Sequence, residues 1–237
     1  MLYDFMLQPL RSTPKIHRSI MTSCIKSLNV NDVLEIGPGN GPLITCIENL
    51  SPEKKILIDF PGTLGGLKIK GYRCIEQDLS KEQWEISDES VDLVVASMVL
   101  EHMAETDFVM REIFRVLRPN GHVLINVPNQ GALIYIIMLF LTLNPPMNMV
   151  SNDYYGLGNP LSKSRFKKSI ESNSMGYGHL RLFATRAMND LLRIHGFKIV
   201  FNHGGSWGIP FLGKFLAGIF PYWGLCTIVL ARKQNGV

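Results

Sequence analysis

Short apolar runs alternate with amphipathic stretches through the first half of the chain. Apolar residues recur at helical spacing over Ile16–Leu28 and from about Glu105 to Leu117, and a shorter helix is predicted from about Leu43 to Asn49. The apolar runs between them predict short buried strands: DVLEIG, KKILIDF, GYRCIEQD, VDLVVASM and, after a tight RPNG turn, HVLINVP. Apolar strands separated by helices are typical of a parallel sheet covered on both faces. The pattern therefore predicts a doubly wound α/β fold.

The pattern changes after Pro128. No Asp, Glu, Lys or Arg occurs between Arg118 and Asp153, and the centre of this gap is the run ALIYIIMLFLTL, Ala132–Leu143. Twelve residues are too few for a spanning helix, which needs ~20. We expect an apolar lid, a buried helix or a segment that lies in a membrane interface.

Helix and strand signals return near the C-terminus. A helix is predicted from about Thr185 to His195, where Gly196 ends it, and a strand follows. A second apolar stretch covers Gly208–Ala231. We therefore divide the chain into residues 1–128 and 178–237, which together form one α/β domain, and an insertion at 129–177.

Composition and charge limit the classes of function. The 237 residues are 46% hydrophobic and 19% charged, as in one large globular domain. Four cysteines without a C-x-x-C pair, and a start without a signal-like apolar run, predict a reduced cytoplasmic protein. The net charge of +4 is uneven, because residues 151–237 carry 11 basic against 3 acidic residues. Such a basic segment suits an anionic substrate, a nucleic acid or the inner membrane face, or is an ordinary solvated surface.

Three glycines follow the first predicted strand. Gly37, Gly39 and Gly41 form G-x-G-x-G, whereas Pro42 stands where a dinucleotide fingerprint needs glycine, which disfavours an oxidoreductase. In doubly wound sheets the turn after the first strand lies against the ligand. Asp59 follows 18 residues beyond Gly41, at the spacing of a ribose-binding acid. Asp78 ends the third predicted strand and is placed to accept from an exocyclic amino group.

These motifs resemble the class I S-adenosylmethionine-dependent methyltransferases with small-molecule acceptors. The matching segments are VLEIGPGNG, LIDF, EQDL, ESVDLVVASMVLEHM and REIFRVLRPNGHVLINVPN, and more loosely GHLRLFATRAMNDLLRIHGFKIV. The resemblance implies a Rossmann-like, seven-stranded, mostly parallel sheet, whose last strand is antiparallel and inserted between the fifth and sixth. It also implies S-adenosylmethionine as the cofactor and no resident metal ion.

The resemblance also implies a set of cofactor-binding residues. Glu35 and the three glycines would surround the methionine part, Asp59 would hold the ribose, and Ser97 would face the sulfonium through its carbonyl. The remaining residues of the set would contact the adenine: Phe60, Asp78 and Leu79.

Methyl transfer mainly requires alignment of the acceptor, the methyl group and sulfur. A hydroxyl acceptor must also lose a proton, and His102 and His179 are the candidate bases. Arg181 is a candidate for an anionic acceptor group. The insertion adds the candidate substrate residues Tyr155 and Tyr177 and the basic run KSRFKK.

We therefore expect O-methylation of a small, glycan or lipid-linked acceptor, with possible peripheral membrane contact. Two other functions remain open: a non-catalytic S-adenosylmethionine-binding module and an RNA methyltransferase. The second is disfavoured, because the chain shows no basic platform interleaved with aromatic residues.

Overall fold

A seven-stranded sheet forms the centre of the protein. The computed structural model describes residues 15–39, 41–65, 72–148, 150–151, 157–160, 179–207 and 213–234. The strands are Val33–Ile36 (β1), Lys55–Asp59 (β2), Arg73–Glu76 (β3), Val91–Ser97 (β4), Leu117–Pro128 (β5), Phe197–His203 (β6) and Cys226–Lys233 (β7). Their order in the sheet is β3-β2-β1-β4-β5-β7-β6, and β7 runs antiparallel to both neighbours. This confirms the predicted sheet.

Helices cover both faces of this sheet. The α-helices are residues 15–26 (α1), Thr106–Val116 (α2), Leu133–Phe140 (α3), Thr185–Ile194 (α4) and Gly213–Ile219 (α5). Short 3-10 helices cover Leu43–Cys46, Pro52–Lys54, Leu100–His102 and Pro221–Trp223.

Each inner strand contributes to two cores, which explains its continuous apolar sequence. In β1, Leu34 and Ile36 belong to a core that includes residues of α2 and α4. Val33 belongs to the opposite core, which includes residues of α1. Successive side chains of a strand point to opposite faces, so both faces must be apolar. Because β1, β2, β4 and β5 run parallel, their carboxyl ends meet along one edge of the sheet.

The predicted helix from Leu43 to Asn49 is wrong. The segment makes one 3-10 turn, and Ile47 leaves helical geometry at φ −89° and ψ 86°. Ile44, Thr45 and Ile47 are β-branched and therefore poor helix formers, while the buried Leu43 and Ile44 side chains are fixed in the core.

The apolar run of the insertion forms α3, but this helix is only partly buried. Tyr135 and Met138 face inward, whereas most of its other apolar side chains are exposed. The expectation of a buried helix is therefore wrong. None of the helices in the described ranges is both long and apolar enough to cross a bilayer.

Candidate active site

The turn after β1 depends on glycine at two positions for different reasons. Gly37 has φ +59°, and a Cβ there would lie 2.4 Å from Cγ2 of Val99. Gly39 has φ +52°, but nothing lies within 4 Å of the place of its Cβ. Both conformations are costly for other residues. Gly37 is therefore required for packing, whereas Gly39 leaves open space beside the backbone.

Two charged side chains hold this turn in place. The carboxylate of Glu35 accepts hydrogen bonds from the amides of Leu43 (2.9 Å) and Ile44 (3.0 Å). These amides begin the 3-10 helix and would otherwise lack a partner. Arg18 of α1 donates to the carbonyl oxygens of Gly41 (2.8 Å) and Pro42 (3.0 Å). Burial raises the pKa of Glu35 to about 7, against the opposing effects of the two amides and Arg18.

Asp59 ends β2 directly beside the glycine turn. Its carboxylate accepts from the Phe60 amide at 2.8 Å and also from the Gly39 amide. Burial raises the pKa of Asp59 above its usual value, although these two amides oppose the shift. A carboxylate has about four acceptor positions, so Asp59 keeps capacity for a ligand. The Phe60 ring is partly buried against the core.

Asp78 lies two residues beyond β3, rather than at its end as the sequence predicted. Its carboxylate accepts from the Ser80 amide (2.9 Å) and pairs with the exposed ammonium of Lys81 (3.0 Å). The side chain of Leu79 is fully buried, and its carbonyl oxygen accepts from the Trp84 indole at 3.2 Å. The whole residue has no exposed surface, so contact between Leu79 and a ligand stays a prediction.

A pocket of about 520 Å³ opens at the carboxyl ends of β1 and β4. This volume is in the usual range for small-molecule sites. Five residues predicted from the sequence line it: Glu35, Gly37, Gly41, Ser97 and His179. The described lining does not include Gly39, Asp59, Phe60, Asp78, Leu79, His102 or Arg181. Tyr155 and Tyr177 lie outside the described residues.

Other lining residues were not predicted. Met98 follows Ser97 with φ +57°, which is rare for a non-glycine residue and is commonest at functional sites. Asn126 donates to the Ser97 hydroxyl at 3.3 Å, and its Oδ1 atom is buried without a hydrogen-bond partner among the described residues. A polar residue inside the apolar β5 run was the available signal for Asn126. The remaining unpredicted lining includes His17, Arg18, Tyr135, Met147 and Leu225.

The two candidate bases lie together. The ring centroids of His102 and His179 are 5.2 Å apart. The carbonyl oxygen of Glu101 accepts from the amides of Leu180 (2.8 Å) and Arg181 (3.0 Å), which fixes the chain at 179–181 against the 3-10 helix after β4. Burial and the neighbouring His102 lower the pKa of His179, despite the opposing contact with Met147. The lowered pKa favours the neutral imidazole, which is the form that a base requires.

Arg181 is already engaged, since its guanidinium donates to the carbonyl oxygen of Ala104. The buried carboxyl of Glu101 completes a cluster with His102 and His179. These three residues are the group in the described chain with the donor set for a metal ion. Nothing in the sequence pattern brought Glu101 to attention.

Comparison with known proteins identifies the family. A family model described as a methyltransferase domain matches residues 11–201, which is more than half of the chain. The chain belongs to this methyltransferase family. The match confirms the resemblance to class I S-adenosylmethionine-dependent methyltransferases.

Two similar proteins match this chain over part of their length. A probable S-adenosylmethionine-dependent methyltransferase of Mycobacterium tuberculosis is 29% identical over 118 residues, which cover 48% of this methyltransferase-family chain and 42% of the relative. A malonyl-[acyl-carrier protein] O-methyltransferase of Marinomonas is 25% identical over 112 residues, 45% of this chain and 42% of that protein. The chain thus aligns with less than half the length of these relatives.

A solved structure shows the same fold over nearly the whole chain. The Thermotoga maritima protein described as a possible histamine N-methyltransferase matches with a TM-score of 0.59 and 14% identity, over 98% of this chain and 97% of its own. At this identity the likeness concerns the methyltransferase fold alone.

Proposed function

We propose that this chain transfers a methyl group from S-adenosylmethionine to an oxygen atom of a small, glycan or lipid-linked acceptor. The observation that carries the proposal is the open backbone at Gly39, whose amide also contacts the strand-end carboxylate of Asp59. A bare turn beside a ribose-binding acid is what an adenosyl ligand requires at the end of the first two strands.

In this proposal the cofactor lies along the strand ends. Glu35, Gly37, Gly39 and Gly41 surround its methionine part, and Asp59 accepts from the ribose hydroxyls. Asp78, Leu79 and the ring of Phe60 meet the adenine. The carbonyl of Ser97 faces the sulfonium, so the methyl group points into the pocket that His179 lines.

The acceptor then enters from the side of β5 and α3. Tyr135, Met147 and Leu225 form apolar walls there, while Asn126 supplies an unpartnered buried oxygen. The His102–His179 pair is the candidate for removing the acceptor proton, because His179 lines the pocket and burial lowers its pKa. Arg181, Tyr155 and Tyr177 remain proposed acceptor contacts, and residues 129–177 the proposed acceptor-binding insertion.

The exposed surface of α3 favours an acceptor that is held at a membrane. Leu133, Ile136, Ile137 and Phe140 follow helical spacing, are 36%, 48%, 43% and 85% exposed, and lie on the face away from the pocket residue Tyr135. One helix would thus contact lipid with one face and the acceptor with the other.

An aromatic group lies at the turn to which the residue Asn129, before α3, is hydrogen-bonded. Trp207, Phe220 and Trp223 have ring centroids 5.8–6.3 Å apart. Asn129, just before α3, donates to the carbonyl oxygens of Tyr222 (2.9 Å) and Gly224 (2.7 Å), which fixes α3 to the aromatic turn. Aromatic residues of this kind concentrate at membrane–water interfaces.

Cofactor binding is tested by calorimetry with S-adenosylmethionine on wild type, Asp59→Ala and the matched control Asp190→Ala, which removes an exposed carboxylate on α4. Asp59→Ala should weaken affinity by about 10- to 100-fold, as expected for loss of charge-assisted hydrogen bonds worth about 1.5–3 kcal/mol. Equal affinity of the three proteins would contradict the role of Asp59.

Turnover is tested with methyl-labelled cofactor and cell extract that is afterwards separated into lipid, glycan, small-molecule and RNA fractions. We expect label in the lipid, glycan or small-molecule fraction. Label in RNA would favour the RNA methyltransferase, and cofactor binding without label in any fraction would favour a non-catalytic module.

Membrane contact is tested by co-sedimentation with vesicles that contain phosphatidylglycerol. Ile136→Asp with Phe140→Asp should abolish binding. The control Ile194→Asp with Val200→Asp, which changes apolar residues exposed at 75% and 55% elsewhere, should retain it. Loss of vesicle binding in both double variants would contradict the contribution of α3. Absence of vesicle binding by the wild type would contradict it as well.

A further inference from the structure

A compact cluster of metal-binding side chains lies at one rim of the pocket. The donor atoms of Glu101, His102 and His179 lie within 4.8 Å of one another. Glu101 and His102 come from the 3-10 helix after β4, and His179 comes from the segment that precedes α4, far away in the sequence. His179 also lines the pocket, so the cluster borders the space in which the acceptor would lie.

The buried carboxyl group of Glu101 accepts from its own backbone amide, but one of its oxygens is unsatisfied among the described residues. The residue is 1% exposed, and its Oε2 atom has no hydrogen-bond partner within the described ranges. No lysine or arginine among the described residues forms an ion pair with it. Buried carboxyl groups are ordinarily hydrogen-bonded, paired or bound to a metal ion. The unsatisfied oxygen therefore calls for a cation or for a donor that the described residues do not supply.

His179 is oriented as a metal ligand commonly is. Its Nδ1 atom lies 3.2 Å from the carbonyl oxygen of Met147. A proton on Nδ1 would be donated to that oxygen, which leaves the lone pair of Nε2 for a ligand. Metal-bound histidines usually donate their other ring N–H to a carbonyl or carboxylate in this way.

The backbone holds the two halves of the cluster together. The amides of Leu180 and Arg181 both donate to the carbonyl oxygen of Glu101, and Arg181 reaches the carbonyl of Ala104. These contacts fix His179 beside the 3-10 helix. Three donors around Zn²⁺ at 2.0–2.2 Å stand about 3.4 Å apart, so the side chains need to close by about 1.5 Å at most.

We infer that Glu101, His102 and His179 bind a divalent first-row transition ion of the Zn²⁺ class. Two imidazoles and one carboxylate favour such an ion over Mg²⁺ or Ca²⁺, which prefer oxygen ligands. Three protein ligands leave a coordination position open, as in catalytic zinc sites. Of the three ligands, His179 lines the described pocket, so the ion would lie at the pocket rim.

The use of this ion in catalysis rests on the proposed O-methyltransferase function. An acceptor hydroxyl bound to the ion would lose its proton to solvent more readily. The oxygen lone pair then forms the bond to the methyl carbon, and the electron pair of the carbon–sulfur bond returns to sulfur, so the sulfonium becomes a neutral thioether. The two histidines would thus promote deprotonation through the ion.

Metal binding is tested by calorimetric titration of Zn²⁺ into chelator-treated protein without a histidine tag. Wild type should bind one ion per chain. Glu101→Gln and His179→Ala should each weaken binding by about tenfold or more, the lower limit set by changes to residues around metal ligands. His122→Ala, a control in the middle of β5 that lines a separate pocket, should bind like wild type. Absence of binding, or equal affinity in all four proteins, would overturn the inference.

Two further readouts keep the test decisive. If a variant does not fold, the visible spectrum of wild type with Co²⁺ decides, because bands no stronger than those of free Co²⁺ would overturn the site. S-adenosylmethionine binding is titrated in the same samples. Zn²⁺ binding without cofactor binding would contradict only the proposed function, whereas methyl transfer that persists in chelator, without Zn²⁺ binding, would contradict only the metal site.

Discussion

Replacing Gly37 and Gly39 by alanine separates the packing role of the glycine turn from its binding role. Both residues have positive φ, which costs an alanine roughly 1–2 kcal/mol, partly offset by about 0.4–1 kcal/mol through the less flexible unfolded chain. Of the two, only Gly37→Ala also creates a steric clash, because the new Cβ would lie 2.4 Å from Cγ2 of Val99. Overpacking of this kind adds about 1–3 kcal/mol.

Gly37→Ala should therefore lower the free energy of unfolding by about 2–4 kcal/mol, and Gly39→Ala by about 1 kcal/mol. In a domain of this size these values correspond to losses in Tm of about 5–15 °C and of no more than about 4 °C. Gly39→Ala should instead weaken S-adenosylmethionine binding by about tenfold or more, because its methyl group enters the space proposed for the cofactor.

The assay is chemical denaturation combined with calorimetry on the same protein preparations. Val99→Ala provides an internal control, since in the double variant with Gly37→Ala it removes the clashing atom and should recover about 1–3 kcal/mol as a coupling energy. Equal destabilisation by the two glycine variants, or no coupling between Gly37 and Val99, would refute the packing argument. Unchanged cofactor affinity in Gly39→Ala would refute the binding role.

Three other changes test the surroundings of the site. Because burial raises the pKa of Glu35 from 4.5 to about 7, the unfolded chain loses this proton at a lower pH than the folded chain, and the free energy of unfolding falls as pH rises through that range. Urea titrations of Glu35→Gln should show a smaller fall. An equally steep fall in the variant would contradict this assignment to Glu35. Arg18→Met should weaken S-adenosylmethionine binding in calorimetry, because two carbonyls of the glycine turn lose their clamp; unchanged affinity would argue against preorganisation by Arg18. Burial alone would raise the pKa of Asp92, but Arg118 and two backbone amides outweigh it and hold this pKa below 3.8. Asp92→Asn should therefore cost about 1–3 kcal/mol at neutral pH, a difference that denaturation should show shrinking below about pH 4, and a constant difference would count against it.

The sheet was predictable because its physical requirements are local. A strand covered on both faces must be apolar at every position, and β1, β2 and β4 carry that signal directly. Gly37 and Asp59 were found for a similar reason, since each follows a strand at a spacing fixed by the fold. The sequence also indicated that residues 132–143 differ from the rest of the domain, although not that α3 leaves one apolar face exposed.

Tertiary contacts account for what was missed. His179 reaches Glu101 only because the Leu180 and Arg181 amides donate to one carbonyl oxygen, and no sequence pattern encodes that contact. Arg18 holds the glycine turn because α1 packs beside that turn in the fold. This is a contact between segments that are far apart in the sequence. The helix predicted from Leu43 failed because the apolar period matched a helix while three β-branched residues and burial favoured one tight turn.

The most direct test of the account is a crystal structure with S-adenosylhomocysteine bound. We predict that the methionine part lies against the open backbone of Gly39, that the ribose hydroxyls donate to Asp59, and that sulfur faces the pocket side of Ser97. A ligand bound elsewhere, or one whose ribose makes no contact with Asp59, would contradict the central claim that the glycine turn and this carboxylate together form the cofactor site.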